Sequence, residues 1–146
     1  MKQYKILLGL DQEDLEEIKK TGTYVIPEDV NEIAPYAFVG IKELVSISIP
    51  SSVSVIGDRA FAECPNLGKV VFKSVGVTMS DGMQSPFADC DSLDVIILDS
   101  KIKDKAYYEF KHNLRAMSPE EYKEYVKMMN AKEENVNNPE KDIIIE

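Results

Sequence analysis

Few residues in this chain could carry catalytic chemistry. The sequence holds one histidine, His112, and two cysteines, Cys64 and Cys90. A Ser-His-Asp or Cys-His arrangement would have to use His112, which lies in no nucleophile motif. The chain has neither a P-loop nor a glycine-rich dinucleotide fingerprint. We therefore predict no catalytic residues and no enzymatic activity, with a hydrolase that uses His112 as the one catalytic alternative.

The two cysteines fall at equivalent positions, 26 residues apart. We interpret Cys64 and Cys90 as two stacked, buried thiols that pack as small hydrophobic groups. A disulfide is geometrically feasible, because neighbouring strands lie about 5 Å apart. A single pair in a chain without a leader argues against one. A zinc site needs two further ligands that His112 does not supply, so we predict no metal and no cofactor.

Length and charge narrow the class of protein. A chain of 146 residues suits one domain, and its net charge of −9 makes it a poor ligand for phosphate backbones, so nucleic acid is excluded. No apolar run approaches the roughly 20 residues of a membrane span. The apolar run near the N-terminus has five residues, fewer than the roughly 7–15 of a signal peptide. We expect a cytoplasmic protein, or a surface or secreted one if a leader was removed.

The elements that position these residues come from an internal repeat. Residues 49–72 slide back by 23 positions onto residues 26–49. A fixed period in the twenties is typical of stacked repeats. Seven apolar or proline positions are identical in the two copies: Ile26 and Ile49, Pro27 and Pro50, Val30 and Val53, Ile33 and Ile56, Ala37 and Ala60, Phe38 and Phe61, Leu44 and Leu67.

The repeat unit reads I-P-x-x-V-x-x-I-x-x-x-A-F-x-x-x-x-x-L-x-x-V-x-I. It resembles the BspA-like, or Treponema pallidum-type, leucine-rich repeat. The resemblance implies an α/β repeat fold, namely a short right-handed solenoid with a period of about 23 and helical caps. Each repeat would supply a strand, a turn and a short helical segment that begins near Ala-Phe. The family implies protein binding, often on bacterial surfaces, and no catalytic residues.

The repeats suggest a division of the chain into a cap, a body and a tail. In the third repeat, an insertion around Ser80-Asp81-Gly82 predicts a bulge or loop at 79–85. The predicted segments are an N-terminal cap or degenerate repeat at 1–25, repeats at 26–48, 49–71 and 72–98, a C-terminal helical cap at 99–130 and a polar tail at 131–146.

Residues 3–25 support two interpretations. A further shift by 23 maps Ile33 onto Leu10 and Ile47 onto Tyr24, which favours a degenerate repeat. The same segment also has the pattern of an amphipathic helix that is capped by Asp11 and ended by Gly22. Its acidic residues lack the spacing of a calcium loop, so we interpret them as a solvated helix face.

The C-terminal part contains two helical patterns and a hydrophobic end. Apolar residues at helical spacing predict packing of a cap, with Met117 as the last member after Tyr107, Phe110 and Leu114. Ser118-Pro119 begins a second helix, which we expect to end at about Asn130. The triplet Ile143–Ile145 could add to a sheet edge, be a disordered end, or associate with another copy.

The candidate site is the row of strand positions that face away from the core. In this chain it includes an apolar column of Val25, Ser48, Val71 and Ile97. Apolar side chains at such positions predict that something covers them, either a partner or the chain's own C-terminal segment. The predicted partner-binding residues are Val45, Ser46, Ser48, Lys69, Val71, Asp94, Val95 and Ile97.

We therefore predict a non-catalytic protein–protein interaction module that binds a partner through its strand face. The alternative is a self-assembling or structural unit whose strand face is covered by its own C-terminal segment, in one chain or in a homodimer. A further alternative is a bacterial surface adhesin, which requires an export leader.

Overall fold

A computed structural model describes residues 3–74, 76–99 and 115–137. These residues form eight strands, two α-helices and one short 3-10 helix, Gly82–Gln84. The strands and α-helices are β1 (Ile6–Leu7), α1 (Gln12–Thr21), β2 (Thr23–Val25), β3 (Glu32–Ile33), β4 (Ser46–Ile49), β5 (Val55–Ile56), β6 (Lys69–Phe72), β7 (Val95–Leu98), β8 (Arg115–Met117) and α2 (Pro119–Asn137).

The strands form two parallel sheets. The smaller has the order β1-β3-β5 and the larger the order β2-β4-β6-β7-β8. In the larger sheet Thr23 pairs with Ser46 and Ser46 with Lys69, in steps of 23 residues. Lys69 then pairs with Val95, a step of 26. The strand positions that were expected to stack in columns therefore do so, because each extra residue is accommodated outside the strands.

Alternation along the strands separates core from surface. In β4 and β6, Ile47, Ile49, Val70 and Phe72 are fully buried. The residues between them point to the other side of the sheet, as the period of two requires. Phe38 and Phe61 lie between the sheets with ring centroids 4.8 Å apart, and Phe87 follows 5.2 Å from Phe61. The core is thus a column of side chains that the repeats build together.

The segments around Ala37-Phe38 and Ala60-Phe61 are turns, so the predicted short helical segment is wrong. An α-helix would direct each N–H to a carbonyl four residues back. Here the Phe38 N–H donates to the Ala60 carbonyl at 2.6 Å and the Phe61 N–H to the Pro86 carbonyl at 2.7 Å. The main chain in these turns is therefore bonded to the following repeat rather than to itself.

Residues 3–25 satisfy both interpretations of the sequence. Helix α1 begins after Asp11, whose side chain accepts from the Asp14 N–H at 2.8 Å, and ends at Gly22 with φ 73°. Strands β1 and β2 flank the helix and join one sheet each. The expected match of Ile33 with Leu10 is wrong, because Ile33 pairs with Leu7. A helix rises only about 1.5 Å per residue, so this repeat needs more residues between its strands.

The insertion in the third repeat forms the loop expected at 79–85. Its 3-10 helix leaves Met83 82% exposed, between the buried residues Met79 and Ser85. The Arg59 guanidinium donates to the Met83 carbonyl at 2.8 Å and to the Asp89 carboxylate at 3.1 Å. The loop is thereby fastened to the second repeat while the strands on either side keep their pairing.

The C-terminal part departs from the predicted helical stripe at Met117, which lies in β8 and pairs with Ile97. The free edge of β7 offers main-chain hydrogen bonds, which outweigh the helical spacing of the side chains. Ser118 caps α2 as predicted, accepting from the Glu121 N–H at 3.1 Å. Helix α2 extends beyond the expected Asn130 to Asn137. The predictions for residues 100–114, including His112, and for 138–146, including Ile143–Ile145, lie outside the described residues.

A glycine at a corner of the second repeat sets how closely two repeats approach. A Cβ at Gly57 would lie 2.3 Å from the Pro35 nitrogen, whereas one at Gly68 would come no nearer than 3.6 Å to a carbonyl oxygen. We expect Gly57→Ala to lower the free energy of unfolding by about 2–3 kcal/mol through overpacking. Gly68→Ala is the control and should cost much less. Equal urea midpoints for the two variants would contradict this account.

The phenol of Tyr24 links stability to alkaline pH. Burial, then the negative charge and hydrogen bond of Asp14, raise the pKa of Tyr24 to about 12. The unfolded chain loses this proton from about pH 10, while the folded chain retains it. Stability should therefore be constant below about pH 10 and fall as the pH rises towards 12. Urea unfolding of wild type and Tyr24→Phe across this range tests it, since the variant should lose part of the decline.

Candidate functional site

The candidate site is the outward surface of the five-stranded sheet, here called the strand face. Two rows of residues build it, one per outward position, and pairing of the strands places each row in register. The first row is Thr23, Ser46, Lys69, Val95 and Arg115, and the second is Val25, Ser48, Val71, Ile97 and Met117.

Exposure falls along the second row from the first strand to the last. Val25 is 62% exposed, Ser48 and Val71 are half-buried, and Ile97 and Met117 are each 6% exposed. The strand face therefore has two parts. We call the positions on β2, β4 and β6 the open half and those on β7 and β8 the closed half.

Helix α2 packs against the closed half. It contacts β7 and β8, and its Tyr125 hydroxyl donates to the Asp94 carboxylate at 2.9 Å. The Lys69 ammonium lies 5.2 Å from the centre of the Tyr122 ring, within range of a cation–π interaction. Val95 and Ile97, which we predicted to contact a partner, are 5% and 6% exposed. In this conformation the chain itself buries both side chains.

The other predicted residues lie together on the open half or at its border. Val45 is 50% exposed, and its N–H donates to the Gly22 carbonyl at 2.7 Å. Ser46, Ser48, Lys69 and Val71 follow on β4 and β6 and are half-buried. Asp94 is exposed but engaged by α2.

Our list of candidate residues omitted Val25, although it is the most exposed apolar side chain of the strand face. The signal was present in the sequence, since Val25 lies 23 residues before Ser48 and pairs with it. The sequence pattern of α2 indicated an apolar side but not which surface it would cover. The division into an open and a closed half was therefore not predictable from either element alone.

The two cysteines have a structural role in the described repeats. Both are free thiols, and each donates to a carbonyl of the preceding repeat: Cys64 to Phe38 at 3.2 Å and Cys90 to Phe61 at 3.0 Å. The hydrogen bond with the Cys64 thiol, followed by burial, raises the pKa of Cys90. A thiol held protonated is a poor nucleophile and a poor metal ligand at neutral pH.

Two searches of the described part of the chain returned negative findings. Among residues 3–74, 76–99 and 115–137, no three histidine, cysteine or acidic side chains gather closely enough to hold a metal ion. In the same ranges, no helix combines the length and apolar character needed to cross a membrane.

Parallel strands from successive sequence repeats, joined by stacked turns, define a repeat protein. The chain belongs to the BspA-type leucine-rich repeat family: the family model, described as a BspA type leucine rich repeat region, matches residues 15–122 with six copies. The resemblance noted from residues 26–98 is thus confirmed and extends towards both ends. Leucine-rich repeats generally serve as protein-interaction modules. No match was found among curated proteins or among solved structures.

A charge on each half of the strand face should have opposite consequences for stability. Ile97→Glu places a carboxylate among buried groups and should lower the free energy of unfolding by about 3 kcal/mol or more. Val25→Glu leaves the carboxylate in water and should cost less than about 1 kcal/mol. Urea unfolding measures both. Similar costs for the two variants would mean that α2 does not cover β7 in solution.

Proposed function

We propose that this chain is a non-catalytic protein-interaction module whose partner binds the open half of the strand face. The proposal includes its architecture, a short right-handed solenoid with a period of about 23 residues. In-register parallel pairing at that spacing supports the period. The handedness rests on the general rule that about 98% of crossover connections between parallel strands are right-handed.

The observation that carries the proposal is the exposed apolar surface on a rigid sheet. Val25 and Val45 are 62% and 50% exposed, on strands whose other outward residues are small or apolar. Solvated sheet faces ordinarily alternate apolar inside with polar outside. Apolar side chains held in water at such positions favour a second protein that removes them from it. At 62% exposure, Val25 is not covered by the chain's own C-terminal helix.

The mechanism of recognition follows from preorganisation. The strands of the open half are fixed by ladders on both sides, β4 between β2 and β6 and β6 between β4 and β7. A partner therefore does not incur the cost of ordering this backbone when it binds. Val25 and Val71 would form the apolar centre, while the Ser46 and Ser48 hydroxyls offer hydrogen bonds without adding charge.

Helix α2 would border the binding surface on one side. Its Tyr122 and Tyr125 contact Lys69 and Asp94 at the junction of the two halves. Tyrosine is enriched at protein interfaces, since its ring packs apolar surface while its hydroxyl remains available to polar groups. We place Lys69 and Asp94 at the polar rim of the contact, and leave Val95 and Ile97 to the closed half.

The test is affinity capture with three forms of the chain. Wild type is compared with Val25→Glu/Val71→Glu, which puts charge in the proposed apolar centre, and with Val39→Glu as control. Val39 is 39% exposed and lies in a turn, away from the strand face. Recovery of the partner should fall at least about tenfold in the double variant and be unchanged in the control.

Circular dichroism and urea unfolding establish that all three forms are folded before capture. A protein lost from the double variant and retained by Val39→Glu is the partner that the proposal requires. If wild type captures nothing, or if all three forms capture the same proteins equally, the proposal is wrong.

A further inference from the structure

The free edge of the smaller sheet is unusual in its side chains. Strand β1 is the first strand of the order β1-β3-β5. Around it, Tyr4, Ile6 and Leu8 are 62%, 45% and 78% exposed. These alternate residues point to one side of the strand, opposite the inward-facing Leu7. A stripe of three apolar side chains thus lies in water beside an edge strand.

The main chain of β1 is bonded on one side only. The Lys5 carbonyl accepts from the Glu32 N–H at 3.2 Å, and the Leu7 carbonyl accepts from the Ala34 N–H at 2.9 Å. Successive residues of a strand direct their polar groups to opposite sides, so those of Ile6 and Leu8 point to the free edge. Such a row is a template for another strand.

The usual protection of an edge is weak here. Natural sheets often guard their edges with a lysine that points into the pairing direction. The Lys5 ammonium is instead held by the Asp29 carboxylate at 3.1 Å, and the Tyr4 hydroxyl donates to Glu32 at 2.8 Å. A cleft of about 880 Å³ opens beside β1, between Lys5 and Ser52. By contrast, the first strand of the larger sheet, β2, is contacted by α1.

We propose that β1 is a self-association edge, which pairs antiparallel with β1 of a second copy about a two-fold axis at Ile6. Each Ile6 then exchanges both main-chain hydrogen bonds with its equivalent. Tyr4 of each copy lies opposite Leu8 of the other, so the three facing pairs are all apolar. The two smaller sheets become one continuous sheet.

A second copy suits this edge because the charges on either side are compatible. The nearest acidic side chain on this sheet face, Glu32, lies one strand behind β1. Its equivalent in the other copy would be three strand spacings away, roughly 14 Å, which exceeds the screening length of about 8 Å at physiological salt. No like charges oppose each other at the centre of the pairing.

The area available predicts a weak dimer. From their exposed fractions, Tyr4, Ile6 and Leu8 contribute roughly 250 Å² per copy, or about 500 Å² for the pair. Stable complexes bury about 1,200–2,000 Å² in total. Association should therefore depend on protein concentration. It uses the smaller sheet, so it leaves the strand face of the larger sheet accessible and does not rest on the proposed function.

Sedimentation equilibrium from about 10 to about 500 µM chain tests the proposal over the range where a small interface associates. The mass of wild type should rise towards that of two chains. Leu8→Lys restores an edge charge and should weaken association at least about tenfold. Val25→Lys is the matched control, since Val25 is also an exposed apolar residue on an edge strand, but of the other sheet. It should leave association unchanged.

Cysteine crosslinking tests the register. The two Ile6 Cα atoms of a hydrogen-bonded antiparallel pair lie about 5.5 Å apart, within the range of a disulfide. Ile6→Cys should form a dimer under mild oxidation. Gln3→Cys is also exposed but lies opposite Gly9 of the second copy, far from its own equivalent, and should not. Wild type, with Cys64 and Cys90, is run alongside to account for native thiols.

Four results would overturn the proposal. They are a one-chain mass for wild type over the whole range, association that survives Leu8→Lys, association that is lost in Val25→Lys, and equal crosslinking of Ile6→Cys and Gln3→Cys.

Discussion

Main-chain hydrogen bonding from one repeat to the next is the interaction on which this structure depends. It operates in the sheets and also in the turns, where Phe38 and Phe61 donate to the following repeat at 2.6 and 2.7 Å. A repeat that stood alone would leave these donors without acceptors, at a cost that a short turn cannot recover. The repeats must therefore form together, and the aromatic column between the sheets is a result of that stacking.

The same constraint determines what the surface offers to other molecules. Stacking in register places equivalent outward side chains about 4.8 Å apart, so a property shared by successive repeats becomes a stripe. On the larger sheet the stripe runs from the exposed Val25 to the buried Ile97. Helix α2 ends it, because the chain returns over β7 after β8. On the smaller sheet the stripe begins at Ile6, at an edge that no described strand continues.

The sequence predicted what depends on spacing and missed what depends on neighbours. Seven identities at a period of 23 predicted the register of Val25, Ser48 and Val71, because residues one period apart occupy the same place in a strand. Ala37-Phe38 suggested a short helix, since its composition does not reveal that its N–H groups are taken by the next repeat. Met117 fits a helical pattern and a strand equally well, and only the free edge of β7 decides between them.

The insertion in the third repeat shows where this kind of chain tolerates a change in length. Residues Gly82–Gln84 leave the core between Met79 and Ser85, and Lys69 still pairs with Val95 on the far side. A corner that absorbs extra residues without shifting a ladder is a natural place for an epitope or a fluorescent label. A reporter joined at Met83 would signal from the rim of the molecule, distant from both sheets' pairing surfaces.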